Sequence, residues 1–270
     1  MKKYIFTDLA CELPSDRSET KYRLGKNIEK IVYGDNGSNR GIQITFFTPK
    51  VWLLSDREFR VLVDEIANEL HKFTEYIKRA DRCLKIIVIG IGNPSLTTDS
   101  LGPETVNGIY VTDPTSQTGI KMTAISPNVA GNTGIETIDA VRAYVSAIRP
   151  DAAIVVDSLR ARSYERLATT VQLSYNGIIP GSGNGKGGVR INEATIGIPV
   201  ISVGVPTVVN SSTLIYETLE KCDVDLENEK LLKLLENNVD FFVSPKEVDI
   251  LVKSASLMIS TAINSAFYGK

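Results

Sequence analysis

Two short apolar segments, each followed by an aspartate, constrain the fold of this chain more than any other feature. Residues 84–92 are almost entirely apolar and β-branched, and residues 152–156 repeat the pattern directly before Asp157. Runs of this kind are typical of strands covered on both faces, as in a parallel sheet between two layers of helices. In open sheets of that type, ligands bind beyond the carboxyl ends of the strands. We therefore expect Asp157, and Asp99 in the loop after the first run, at one ligand-binding edge.

The segments around these strands predict the rest of the sheet and its helices. Helices are predicted over residues 56–79, from a capping box at Thr133 to Arg149, over 211–220, and from a capping Ser244 onward, with further strands at 121–126, 170–174 and 199–205. Alternating strands and helices with right-handed crossovers predict a doubly wound, mostly parallel α/β sheet with helices on both faces. Residues 31–46, with a turn at 35–38, predict a small peripheral β-hairpin near the N-terminus.

Composition sets the broad class of the protein. With 270 residues, 43% of them hydrophobic and 23% charged, the chain can build one sizeable core. A formal charge of −2 offers no basic excess for a phosphate backbone, so we expect no direct nucleic-acid binding. Three widely separated cysteines fit a reducing compartment. The first 20 residues are mostly polar and predict an exposed leader, and their apolar stretch is too short for a signal peptide. We therefore expect a cytoplasmic protein without membrane contact.

Several familiar chemistries lack the residues that they need. His71 is the only histidine, so a Ser-His-Asp or Cys-His mechanism would depend on it alone, and a nitrogen-and-sulfur zinc site has no clustered ligands. Residues 90–95 begin like a dinucleotide fingerprint but end in Ser95, after a proline. Gly185 and Lys186 resemble the end of a phosphate-binding loop whose other positions do not match. The sequence does not predict a nucleotide-dependent enzyme.

Asp99 and Asp157 admit two interpretations. An aspartate at a strand-to-helix junction can simply cap a helix. Two carboxylates about 4 Å apart repel by about 4 kcal/mol at an effective dielectric of about 20, which amounts to about three pKa units. One of them then holds a proton near neutral pH, which leaves an acid and a base side by side, as peptide hydrolysis requires. Because a coupled pair titrates as a unit, the two roles stay unassigned.

A series of motifs between Leu84 and Thr213 resembles, in the same order, those of the germination protease family. These motifs lie at residues 98–103, 126–137, 157–163, 169–172, 180–183 and 197–209. The resemblance implies an endopeptidase of spore-forming bacteria that degrades small acid-soluble spore proteins during germination. It also implies a fold similar to that of hydrogenase maturation proteases, which hold a metal with carboxylates and a histidine. Since no suitably placed histidine is evident here, we expect a metal-free mechanism without a cofactor.

The same resemblance assigns residues. The catalytic pair proposed for the family corresponds to Asp99 and Asp157. Residues 7–12 resemble the family's self-processing site, which implies cleavage between Asp8 and Leu9, with residues 1–8 as a propeptide and 9–270 as a single α/β peptidase domain. Family members form homo-oligomers, commonly tetramers, and their substrates imply work in the forespore or spore core. This chain departs from the family in being shorter and in carrying Asn128 and Asn132.

Polar residues in the shared loops are candidates for holding a peptide substrate. They are Asn93, Ser126, Thr133, Arg162, Ser163 and Thr169. Arg160 or Arg162 would pair with an acidic residue before the scissile bond, because charge-assisted hydrogen bonds orient a ligand strongly. Alternatively, Arg162 pairs with a surface carboxylate, and the serines and threonines cap helices.

Two other functions stay open at this point. One is a non-catalytic peptide-binding relative of the family, in which the aspartates only cap helices. The other is a metal-dependent hydrolase that uses the same carboxylates.

Overall fold

The computed structural model describes residues 5–13, 17–34, 41–75, 77, 83–112, 119–181, 188–224, 226, 228–237 and 241–269. The strands are β1 (Ser18–Arg23), β2 (Glu29–Gly34), β3 (Gln43–Phe47), β4 (Leu84–Gly90), β5 (Ile120–Ile125), β6 (Ala152–Ala161), β7 (Thr170–Ser174), β8 (Val200–Asn210) and β9 (Phe242–Val243). The helices are α1 (Asp56–Glu75), α2 (Leu101–Asn107), α3 (Ala130–Thr133), α4 (Thr137–Ile148), α5 (Glu193–Ile196), α6 (Ser211–Lys221), α7 (Glu229–Asn237) and α8 (Val248–Tyr268).

These strands form one mixed sheet with a parallel and an antiparallel half. Its order is β1-β2-β3-β7-β8-β6-β4-β5, and β9 adds to the end of β8. Strands β8, β6, β4 and β5 run parallel, whereas β1, β2, β3 and β7 pair antiparallel and β7 joins β8 in the same way. The predicted doubly wound sheet and the predicted hairpin, β2–β3, are confirmed. The hairpin continues the main sheet through β7, and its turn at 35–38 lies outside the described residues.

Both faces of the sheet are covered, which explains the continuous apolar runs in the sequence. Along β4, Ile86 and Val88 face a core shared with α1, α2 and α8, whereas Ile87 and Ile89 face a second core with α4. Helix α8 is long and apolar enough to cross a membrane by composition, yet more than half of its most apolar window is buried. It packs against α1, α2 and β8 as a core helix.

Residues 5–12 do not form the exposed leader that the sequence predicts. Leu9 is fully buried and Ala10 is 4% exposed. Leu9 packs into the core on the α4 side of the sheet, and Ala10 packs against Ile31 and Tyr33 of β2. A single apolar pair, Leu9 and Ala10, inside a polar stretch has no periodicity from which burial could be predicted. The two residues are buried because they pack against the sheet. Strand β1 (Ser18–Arg23), which the sequence did not predict, is the next described element of the sheet.

Two predicted helix caps are wrong. Thr133 lies in the last turn of α3, and left-handed Gly134 separates it from α4, which begins at Thr137. The last helix begins at Val248, and no side chain caps it, although the sequence predicts a cap at Ser244. In both places the capping spacing is present in the sequence, but the chain makes a local turn before the helix begins.

Candidate active site

Asp157 lies where the sheet opens. Strand β6 continues to Ala161 instead of ending at Asp157, because its second half stays paired with β8. On its other side, the pairing with β4 ends at Gly90 and Val156, and a last main-chain bond joins the Ile91 amide to the Val156 carbonyl. Asp157 is therefore the first residue of β6 beside the gap that β4 leaves.

Close packing of glycines brings Asp99 back to this gap. Gly92 has a φ of +125°, and a Cβ there would lie 1.9 Å from the main-chain oxygen of Asp99. A Cβ at Gly102 would lie 2.6 Å from the Val156 oxygen. Only glycine permits these approaches. The main-chain N–H of Asn93 donates to Asp99 Oδ2 at 2.8 Å.

A bulge in β8 holds the same loop from the other side. Leu159 pairs with Pro206 and Arg160 with Val208, so Thr207 is the extra residue. Its hydroxyl donates to the Thr98 carbonyl at 2.6 Å, next to Asp99. Bulges commonly redirect one side chain in this way near functional sites.

The electrostatic setting raises the pKa of both aspartates. Asp157 is 4% exposed, and burial raises its pKa well above the usual range, with further increases from the charges of Asp99 and Asp8 and an opposing bond from the Ser158 amide. Burial also raises the pKa of Asp99, against the Asn93 amide. Asp157 lies inside a strand and Asp99 bonds a loop amide, so neither acts as the helix cap of the alternative interpretation.

The aspartates face a cleft of about 480 Å³. Its polar lining includes Asp8, Asn93 and Arg160, and apolar side chains such as Leu96, Val129 and Phe242 complete it. Pro180, Gly181 and Gly188 of the glycine-rich loop also line it, and residues 182–187 lie outside the described part of the chain. The cleft can accommodate a short peptide segment next to two carboxyl groups.

The chain's own N-terminal segment occupies one side of this cleft. The Asp8 amide donates to the Arg160 carbonyl at 2.9 Å, and the Arg160 amide donates to Asp8 Oδ2 at 2.8 Å. The Arg160 guanidinium carbon lies 4.7 Å from the centre of the Phe6 ring. Burial lowers the pKa of Arg160, and the charge of Asp8 opposes that decrease.

Contacts on the following residues fix the segment beyond Asp8. Gln172 Nε2 donates to the Asp8 carbonyl at 2.8 Å, and the Ala10 amide donates to Gln172 Oε1 at 2.6 Å. The Glu12 carboxylate accepts from the amides of Arg162 at 2.6 Å and Ser163 at 2.9 Å. The Asp8–Leu9 peptide bond is thus held on both sides.

The structure brings some of the predicted site residues together and leaves others apart. Asp8, Asn93, Asp99, Asp157 and Arg160 line one cleft. Arg162 and Ser163 contact Glu12 through main-chain amides, and the Arg162 guanidinium pairs with Glu220 at 2.6 Å, as the surface alternative anticipated.

Like Arg162 and Ser163, three more of the predicted substrate-binding residues do not line the cleft. Ser126 is exposed beyond the end of β5. The hydroxyls of Thr133 and Thr169 bond main-chain groups of their own loops, those of Val129 and Ile135 and of Glu165 respectively. Shared loop motifs therefore did not separate cleft residues from residues that stabilise the loops.

Gln172, Glu12 and Thr207 were missed. The available signal for Gln172 is a long amide side chain in the middle of a buried strand, where it is 6% exposed. Asn132, where this chain departs from the family, also contacts the site. Its side-chain Nδ2 donates to Asn93 Oδ1 at 2.9 Å, beside Asp99.

A carboxylate-and-histidine metal site does not assemble from the described residues. His71 lies on the exposed side of α1, 3.5 Å from Glu75. The described part of the chain contains no group of three or more His, Cys, Asp or Glu side chains arranged to hold a metal ion.

Comparisons with known proteins agree with the sequence motifs. The profile of the family described as Germination protease matches residues 25–229. A germination protease of Clostridium acetobutylicum is 33% identical over 87% of this chain and 82% of its own, and one of Caldanaerobacter subterraneus is 34% identical over 76% and 72%. A [NiFe] hydrogenase maturation protease HycI from Thermococcus kodakarensis superposes with a TM-score of 0.40 at 12% identity, covering 73% of this chain and 99% of that one. The chain belongs to the germination protease family of peptidases.

Proposed function

We propose that this chain is the precursor of an aspartate-dependent endopeptidase that removes its own residues 1–8 and then degrades small acid-soluble spore proteins during germination. One observation carries the proposal. Asp8 lines the same cleft as Asp99 and Asp157, and hydrogen bonds to Arg160 and Gln172 hold the main chain on either side of the Asp8–Leu9 bond. Residues 9–270 then form the mature peptidase domain.

The raised pKa values of Asp99 and Asp157 support a general acid–base mechanism. The ionised member of the pair takes a proton from water, and the water oxygen bonds the carbonyl carbon of Asp8. The protonated member gives its proton toward the leaving Leu9 nitrogen as the C–N bond breaks. The products are a new carboxylate at Asp8 and a new amino terminus at Leu9.

The bound segment also supports a substrate preference. An acidic residue takes the place of Asp8 beside Arg160, an apolar residue that of Leu9, and alanine that of Ala10. Ala10 is 4% exposed against Ile31 and Tyr33, so a larger side chain does not fit there without displacement. By family resemblance we further propose a homo-oligomer, commonly a tetramer, that works in the forespore or spore core.

Intact-mass measurement of the full chain over time tests self-processing. We expect the wild type to lose residues 1–8. Asp99→Asn and Asp157→Asn should slow this loss by about 10²–10⁴-fold, the usual contribution of a positioned acid or base. Cleavage by both folded variants at the wild-type rate would refute the aspartate mechanism.

Two further assays test the substrate class and the alternative chemistry. Incubation of processed enzyme with a small spore protein, followed by mass identification of the cut bonds, should give cuts after an acidic residue that is followed by an apolar residue and alanine. Activity that a chelator abolishes and a divalent ion restores would favour a metal-dependent hydrolase instead.

A further inference from the structure

We propose that Gln172 is a catalytic residue that polarises the carbonyl of the bond to be cut and stabilises the oxyanion formed on it. The inference rests on the proposed self-processing at Asp8–Leu9. Gln172 touches the reacting group directly, because its side-chain amide donates to the Asp8 carbonyl oxygen at 2.8 Å.

The chemistry of its two partners fixes the orientation of the Gln172 amide. The Ala10 N–H can only donate, so it must meet Oε1, and the Asp8 carbonyl can only accept, so it must meet Nε2. The same side chain therefore bonds the main chain on both sides of Leu9. The N–H of Gln172 points at the oxygen where negative charge develops during hydrolysis.

The sheet register places Gln172 in line with Asp157. Gln172 of β7 pairs with Gly204 of β8, and Gly204 pairs with Asp157 of β6. Paired residues share a face of the sheet, and two strand spacings put the two Cα atoms about 10 Å apart. A peptide main chain fits between side chains at that separation. Gln172 and the aspartates can thus act on one carbonyl from two directions.

The acidic side chain of Asp8 makes this arrangement possible. In a regular strand pair, the Arg160 amide would donate to the main-chain carbonyl of its neighbour. Here it donates to the Asp8 carboxylate at 2.8 Å, and the main-chain carbonyl accepts from Gln172 instead. The scissile carbonyl is therefore directed to a side-chain donor.

The properties of a buried amide suit an oxyanion donor. Gln172 is 6% exposed, and in a water-excluded site a fixed donor stabilises developing charge more strongly than in water. Its side-chain amide carries no net charge, so it adds no charge to the environment of the two aspartates. It keeps both of its own protons throughout, and every proton transfer stays with water, the aspartates and the leaving nitrogen.

The test separates catalysis from anchoring in the full chain. We compare Gln172→Met, which keeps the side-chain length but removes both hydrogen bonds, with wild type for the first-order rate of loss of residues 1–8. The rate should fall about 10²–10³-fold, as for other oxyanion donors. Docking of the segment is read separately, as hydrogen exchange of the Asp8 and Arg160 amides in an Asp157→Asn background.

The matched control is Thr45→Val. Thr45 pairs with Gln172 across β3 and β7, it is fully buried, and its hydroxyl has no hydrogen-bond partner among the described residues. Valine keeps its shape, so processing should continue at the wild-type rate. Equal slowing by Thr45→Val would attribute the effect to strand packing and overturn the proposal.

The remaining outcomes are distinct. A slow Gln172→Met chain with retained amide protection supports the catalytic role. A rate that falls only in proportion to lost protection makes Gln172 an anchor, and an unchanged rate removes it from the mechanism; both overturn the proposal while the proposed function stands. If the wild type itself never loses residues 1–8, the self-processing function fails first, and the role of Gln172 fails with it.

Discussion

The parallel and antiparallel halves of the sheet make different contributions to the cleft. The parallel half supplies the carboxyl groups, Asp157 on β6 and Asp99 after β4. The antiparallel half contacts the chain's own N-terminal segment, through Gln172 on β7 and through Ile31 and Tyr33 on β2. The comparison indicates that the two carboxyl groups lie where parallel pairing stops, whereas Gln172 contacts the N-terminal segment from the middle of a regular antiparallel strand.

Enlarging the side chain of Ala10 should have the largest effect, because it should impair docking of the N-terminal segment on the antiparallel half and leave the aspartates of the parallel half intact. Ala10→Leu overpacks the contact with Ile31 and Tyr33, and overpacking costs about 1–3 kcal/mol. Self-processing should therefore slow by about 10–100-fold, because the segment no longer docks. A synthetic peptide with the wild-type sequence of residues 5–13 should still be cut when it is added to this variant, since the aspartates are intact.

The control for this variant is Leu13→Ala in the same segment. Leu13 is 36% exposed, so its truncation should leave processing unchanged. If Ala10→Leu processes normally, the antiparallel half does not select the segment. If the added peptide is also resistant, the substitution has damaged the parallel half as well, and the division between the halves is wrong.

A smaller effect is expected on the free energy of unfolding, and it arises from Asp157 in the parallel half. The pKa of Asp157 is raised in the folded state, so above the unfolded aspartate pKa the folded chain holds a proton that the unfolded chain has lost. The free energy of unfolding that this group contributes therefore decreases as pH rises from the unfolded pKa to the folded pKa, by about 1.4 kcal/mol for each pH unit between them. Replacing the carboxyl by an amide removes that decrease.

Thermal unfolding of two chains with slowed self-processing measures this effect. Asp99→Asn is compared with the Asp99→Asn, Asp157→Asn double variant at acidic and neutral pH. The double variant should gain relative Tm as pH rises, by a few degrees for each kcal/mol. A constant difference between the two chains across pH would mean that Asp157 carries no folding-linked titration.

The same division explains how much the sequence could predict. The strand before Asp99 and the strand that contains Asp157 were predictable because burial on both faces gives continuous apolar runs. The burial of Leu9 and Ala10 was not predictable, because it depends on a surface built from distant strands.

Two site residues carry no local sequence signal. Nothing in the sequence around Gln172 separates a buried structural amide from a ligand contact, and the bulge at Thr207 exists only in the register of two strands. The caps at Thr133 and Ser244 failed because the spacing of a capping box does not specify where the helix begins.

Carbon-13 NMR titration of the aspartate carboxyls tests the central claim most directly. In the wild type, the signal of Asp157 should titrate well above the ordinary aspartate range, near 4. In Asp99→Asn its pKa should decrease yet stay elevated, because burial is the largest cause of the increase and the charge of Asp99 only adds to it. Titration of Asp157 near 4 in the wild type, or no change when Asp99 is neutralised, would contradict electrostatic coupling of the two carboxyls in this cleft.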